Sequence, residues 1–334
     1  MQRRRISAQV ALLAGLVGLA GCQEYTYSDF ETTDQFRQNP WEKVDVLLVV
    51  DNSCSMEPYQ TKLARDFGGF FDFFDEGNVD WRIAVVHTDV FAADFGRIRG
   101  PIITPDTIDP RQQFDDVVHV GATGGGIEMG MEAAKRALSG MNHGFPRDDA
   151  SVSVIFVSDE QDSSPDSVPM YADAYYDVKG QRARDAFNAS ALTVMSRGTC
   201  TPDQFSESSP GTRYIDLANV TGGVVGNLCQ EDFTGIVHDL ALTTSAMRDT
   251  FFLSHKPNLD TLEVWIGDVQ VPCSAGVWHY DLVDDDGVER PAIVFRSNRV
   301  PSANTPITAK YKNGSGEPAG YCVDDQGPGQ QGTQ

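Results

Sequence analysis

The sequence predicts an α/β fold: a doubly wound, mainly parallel sheet followed by a small antiparallel β module. Nearly continuous apolar runs at Val44–Val50, Trp81–Val86 and Val152–Val157 have the composition of strands buried on both faces. Stretches with helical spacing separate them, and that alternation builds a parallel sheet covered by helices on both sides. After about Arg248 the pattern changes to short runs that alternate polar and apolar residues, as antiparallel strands with one wet face do.

In order, residues 1–21 read as an export leader, 22–42 as a polar tether, 43–248 as the α/β domain, 249–322 as the β module and 323–334 as a disordered Gly/Gln-rich tail. Tyr59, Leu63, Phe67, Phe71 and Phe74 recur at helical spacing, and Gly77-Asn78 ends that helix. Residues 91–118 look irregular, broken every few positions by Gly, Pro and Asp. The Gly-rich loop Val118–Gly126 feeds a helix whose buried face is Ile127, Met131, Ala134 and Leu138. Met170 to Phe187 reads as helical, Leu192–Met195 as a short strand, Tyr214–Leu217 as another, and Phe233–Met247 as the closing helix. In the β module, the Asp284–Asp286 run reads as a solvated hairpin tip, because it lacks the spacing and terminal Glu of a calcium loop.

Arg3, Arg4 and Arg5 precede an apolar stretch, Val10–Leu19, that is too short to span a bilayer well. The leader closes on Leu19-Ala20-Gly21-Cys22, which resembles the lipobox of bacterial lipoproteins, in which the Cys carries the lipid. That resemblance implies a membrane anchor at Cys22, and Gln23 in place of Asp favours the outer membrane of the cell envelope. Removing residues 1–21 takes away three Arg and no acid, moving the formal charge from −22 to −25. So acidic a chain is not expected to bind nucleic acid through phosphates. Of the five cysteines beyond Cys22, Cys200 pairs best with Cys229 and Cys273 with Cys322, leaving Cys54 free. The absence of a Cys/His cluster argues against structural zinc.

The apolar runs end in oxygen donors: Asp51, Ser53 and Ser55 after the first, Thr123 in the Gly-rich loop, and Asp159 after the third. In a doubly wound sheet such loops emerge along one edge, so donors distant in sequence converge there. Hydroxyls and carboxylates on a tight loop suit a hard divalent cation. Asp51-x-Ser53-x-Ser55, then Thr123, then Asp159, within a βαβ series, resembles the von Willebrand factor type A domain and its metal-ion-dependent adhesion site. The resemblance extends over residues 42–248 and implies a VWA/Rossmann-like sheet. By it, Ser53 and Ser55 ligate Mg²⁺ (Mn²⁺ and Ca²⁺ are alternatives), Thr123 binds directly or through water, and Asp51 and Asp159 act mainly through bound waters. A protein partner then supplies a carboxylate to the remaining position. Cys54 departs from the small residue usual at its place, and Thr88 is the fallback for Thr123. His87, His119, Asp162, Ser163 and Ser164 read as packing, turn and cap residues rather than ligands.

The implied function is a lipid-anchored surface protein that binds a protein partner through its cation, without enzymatic activity. An envelope scaffold with structural or no metal is the second reading. A hydrolase or phosphatase using Asp51 as nucleophile is the third, disfavoured because the position two residues on is Ser53 rather than an acid.

Overall fold

The computed structural model describes residues 30–315 apart from 39, 202–207, 275, 286, 297, 298 and 303. The leader, Cys22 and the tail therefore lie outside the described residues. The chain runs through β1 (Glu31–Arg37), β2 (Lys43–Val50), α1 (Glu57–Asp66), α2 (Gly68–Gly77), β3 (Asp80–His87), α3 (Pro110–Val118), α4 (Gly130–Arg136), β4 (Ser151–Ser158), α5 (Val168–Lys179), β5 (Phe187–Thr193), α6 (Thr212–Thr221), β6 (Val225–Asn227) and α7 (Thr234–Ser245). It then enters β7 (Thr250–Phe252), β8 (Glu263–Ile266), β9 (Val269–Val271), β10 (Trp278–Asp285), β11 (Val288–Phe295) and β12 (Pro306–Lys312).

The five-stranded sheet has the order β3-β2-β4-β5-β6, with every pairing parallel. Strand β2 sits second from the edge, and its alternation sorts side chains onto two cores. Val44, Val46, Leu48 and Val50 face one core with Tyr59 and Leu63 of α1, the phenylalanines of α2, Phe114 of α3 and Leu240 of α7. Leu47 and Val49 face the other, with Met131, Tyr171, Tyr175 and Leu217 of α4, α5 and α6. Burial on both faces is why the strand could tolerate so few polar residues. Its one internal acid, Asp45, is fully buried and is held by Arg147 through a 2.8 Å Nε–Oδ1 bond and a backbone N–H. The same guanidinium reaches Asp80 at 2.7 Å.

The β module is two antiparallel sheets, β10-β11-β7 and β1-β12-β8-β9, enclosing a third core of Phe251, Trp278, Ile293, Val264, Ile307 and Tyr311. Here the tether expectation is corrected. Residues 31–37 form β1, paired along its length with Pro306–Lys312, and Asp34 accepts a 2.7 Å bond from the Tyr311 hydroxyl. Strand β1 looks like tether because half its side chains face solvent and its partner lies far along the chain. Gln38 then clamps both backbone groups of Arg248, and Trp41 N–H donates to Ser245 O at 3.0 Å, tying the module to the end of α7.

Three further differences have local causes. The long aromatic helix is two, broken at Phe67 before Gly68-Gly69, where helix propensity falls. Pro110–Val118 is a helix, started by Asp109, whose carboxylate accepts from Gln112 N at 3.1 Å, with Pro at its first position. Tyr214–Leu217 belongs to α6, since Tyr214, Leu217 and Ala218 follow helical spacing against the second core. Asn78 ends α2 in the left-handed conformation, as expected from Gly77-Asn78.

Cys200 and Cys229 are disulfide-bonded and Cys54 is free and exposed, as read from the sequence. Cys273 is also disulfide-bonded, and Cys322 lies outside the described residues. Arg147→Ala should destabilise the domain by about 3–5 kcal/mol in urea unfolding, because it leaves the Asp45 charge buried and unpaired. Adding Asp45→Asn in the same chain should recover a substantial part of that loss.

Candidate metal centre

Strand β2 delivers Asp51 to the carboxyl edge of the sheet, where its N–H donates to Val157 O of β4 at 2.9 Å. The Asp51 side chain is fully buried. One carboxylate oxygen accepts from Ser53 N–H at 2.7 Å and the other from the Ser158 hydroxyl at 2.6 Å. Gln60 of α1 donates to both Asp51 O (2.9 Å) and Gly121 O (2.8 Å), fastening the first loop to the second. Asp51 is therefore a fixed anchor rather than a mobile ligand.

The two serines and Asp159 converge as read from the sequence. Ser53 Oγ and Ser55 Oγ are 3.2 Å apart, and Ser55 Oγ donates to Asp159 Oδ1 at 3.2 Å. Cys54 points outward between them. Thr123 behaves differently. It is exposed and makes no side-chain hydrogen bond among the described residues. The loop touches the first through Gly124 instead, whose N–H donates to Asn52 O at 2.8 Å. A Cβ on Gly124 would lie 2.7 Å from the Asn52 amide, so any side chain there would have to push that amide aside. Ile127 is 43% exposed and lies outside α4, contrary to the expected buried face, whereas Met131, Ala134 and Leu138 are buried.

Sequence reasoning missed Glu128 and Glu160. Glu128 is fully buried, and its Oε2 accepts the hydroxyl of Thr88. Its backbone is pinned on both sides: it bridges Asp89, and its carbonyl accepts Ser163 N–H at 2.7 Å. The nearest sequence signal was the position just past the Gly run, where a charge is out of place on a buried face. Thr88, the fallback ligand, spends its hydroxyl on Glu128.

The acids share an electrostatic problem. Burial, and then the charge of Asp51, push Asp159 up to about 7 and Glu128 up to about 8. Burial raises Asp51 and Glu160 as well, with Asp51 adding to the shift of Glu160. Among the described residues no Lys, Arg or His forms an ion pair with any of these four acids. Two buried oxygens, Asn52 Oδ1 and Glu128 Oε1, have no hydrogen-bond partner among the described residues. Hydroxyls, buried acids lacking a counter-charge and orphaned oxygens together fit a divalent cation. Ser53, Ser55 and Asp159 would hold it and Asp51 would orient them. Among the described residues no three His, Cys, Asp or Glu side chains gather closely enough to hold an ion alone, so hydroxyls and water have to complete the shell.

The neighbouring polar residues are structural, as expected. Asp162 accepts from Met131 N–H at 3.2 Å and Ser164 from Glu132 N–H at 3.0 Å, together capping the start of α4, while Arg213 pairs with Asp162 at 3.0 Å. His87 pairs with Asp94 at 3.0 Å, and the His119 ring bonds Asp115 O at 2.7 Å. Asp284 accepts from Gly287 N–H at 2.8 Å in the β10–β11 hairpin.

No family model matches the chain, and no curated protein matches it. Among solved structures it is similar to the pilus adhesin SpaC from Lactobacillus rhamnosus GG in the open conformation, 12% identical with a TM-score of 0.46, over 84% of this chain and 40% of that one. A von Willebrand factor type A protein from Catenulispora acidiphila is 15% identical with a TM-score of 0.37, over 86% of this chain and 66% of that one. Proximal thread matrix protein 1 from the mussel byssus is 17% identical with a TM-score of 0.39, over 65% and 49% respectively. The chain thus spans 40% to 66% of the length of these proteins. These are similarities only; the doubly wound α/β fold stands on the strand order and parallel pairing of the sheet itself.

Proposed function

We propose that this protein binds a protein partner at the surface of the cell envelope through a divalent cation, Mg²⁺ in the first instance, held at the edge of the α/β sheet. The observation that carries the proposal is the meeting of Ser53, Ser55 and Asp159 around an anchored Asp51, with no ion pair to the acids among the described residues. A cation there relieves the mutual repulsion of the acids. Its ligands are largely hydroxyls and water, so it stays electrophilic enough to take a carboxylate from a partner. Lipidation at Cys22 would hold the protein to the membrane, with several acyl chains needed for a firm anchor. The site is read as binding rather than catalytic because Ser53, where an aspartyl-phosphate enzyme commonly carries a second acid, is tied into the loop by Ser55.

Pull-down from envelope extracts should recover a partner in Mg²⁺ and lose it in EDTA, and Ser53→Ala and Asp159→Ala should each lose it in Mg²⁺. Capture that survives both chelation and substitution would reject the mechanism.

Metal-free stability offers a second check. Asp159 and Glu128 keep protons in the folded state up to about 7 and 8, above the range in which the unfolded chain releases them. Folded protein therefore binds more protons in that window, so its stability should fall as pH rises from about 5 to about 8.5. Saturating Mg²⁺ should flatten the trend, because a bound cation takes the place of those protons. Thermal midpoints across pH, with and without Mg²⁺, measure both effects.

A further inference from the structure

Glu128 is fully buried, yet among the described residues only one of its two carboxyl oxygens has a hydrogen-bond partner. It lies between the end of β3 and the loop after β4, pinned by its bridge to Asp89 and by the Ser163 N–H, and its side chain meets Thr88, which follows His87, the strand partner of Val50 just before Asp51. One oxygen receives the Thr88 hydroxyl, and Thr88 is itself buried. The other, Oε1, has neither donor nor acceptor among the described residues, so a proton placed on it would go unbonded there too. A fully buried carboxyl with an orphaned oxygen is costly to keep. The adjacent charge of Asp51 raises that cost. Thr123, from the same segment, is exposed and leaves contact with the first loop to Gly124.

We infer that Glu128, and not Thr123, is the second-loop residue that faces the divalent cation, with Thr88 orienting its carboxylate through the hydrogen bond to Oε2. The inference rests on the metal-binding reading above. It assigns the site a third carboxylate beside Asp51 and Asp159, where a hydroxyl was expected. Oε1 is then the oxygen turned toward the ion, which explains why the protein gives it no other partner. The Thr88 contact does the work usual for groups behind metal ligands, fixing orientation while leaving one lone-pair face free.

Calorimetric titration of the full chain with MgCl₂, MnCl₂ and CaCl₂ tests the assignment. Glu128→Gln keeps size and the ability to accept from Thr88 but removes the charge. It should weaken the tightest-binding ion by about 10- to 100-fold. Thr123→Ala should change the same affinity by less than about twofold, and Thr88→Val should weaken it by an intermediate factor. Because Glu128→Gln relieves repulsion with Asp51, the metal-free variant should melt no lower than the parent, so lost affinity cannot be ascribed to unfolding. Full affinity in Glu128→Gln would overturn the inference, and loss in Thr123→Ala in its place would return the role to the threonine. If the parent chain bound none of the three cations, the metal-binding reading itself would fall.

Discussion

The local architecture turns on one buried carboxylate. Asp51 sits where a strand covered on both faces leaves the sheet, and its two oxygens are taken by the Ser53 N–H and the Ser158 hydroxyl. Those bonds shape the first loop and join it to the third. Gln60 joins the first loop to the second by bridging the carbonyls of Asp51 and Gly121. Three segments spread over more than a hundred residues thereby acquire one geometry, set by buried hydrogen bonds.

The arrangement is a liability without a counter-charge. Asp51 raises the proton affinity of Asp159, Glu128 and Glu160, and Glu160 adds to that of Asp159 and Glu128, while a real ion pair in the same domain, Asp45–Arg147, shows what this fold does when an acid is buried for stability alone. There a guanidinium meets the carboxylate at 2.8 Å and continues to Asp80. Among the described residues, none at the sheet edge does the same for these four acids. Proteins often keep strained or like-charged groups where binding is to occur, and the surrounding core compensates for them. Here the compensation comes from the two aromatic and aliphatic cores that flank β2.

Much of this was legible beforehand. Continuous Val/Leu runs could only be strands buried on both faces, so the sheet and the edge carrying Asp51, Ser53, Ser55 and Asp159 followed from composition and spacing. The Cys200–Cys229 bond and the cap roles of Asp162 and Ser164 followed from chain position and residue chemistry. Strand β1 was not legible, because a strand with half its side chains in solvent looks like a tether until its distant partner is known. Helix α3 had its signal in Asp109-Pro110, hidden among other turn formers.

Thr123 and Glu128 mark the boundary. Five positions apart in one loop, they offer a hydroxyl and a carboxylate, and a linear motif favours the hydroxyl. Which one turns inward depends on backbone contacts made elsewhere: Gly124 pressed against Asn52, and Glu128 stitched to Asp89 and Ser163. The sequence by itself determined the sheet, its donor-bearing edge and the chemistry of the groups available there, because burial and alternation are local properties of the chain. Only the tertiary structure decided which donors are buried, which face one another and which acids go uncompensated, because those depend on distances between segments that sequence spacing does not encode.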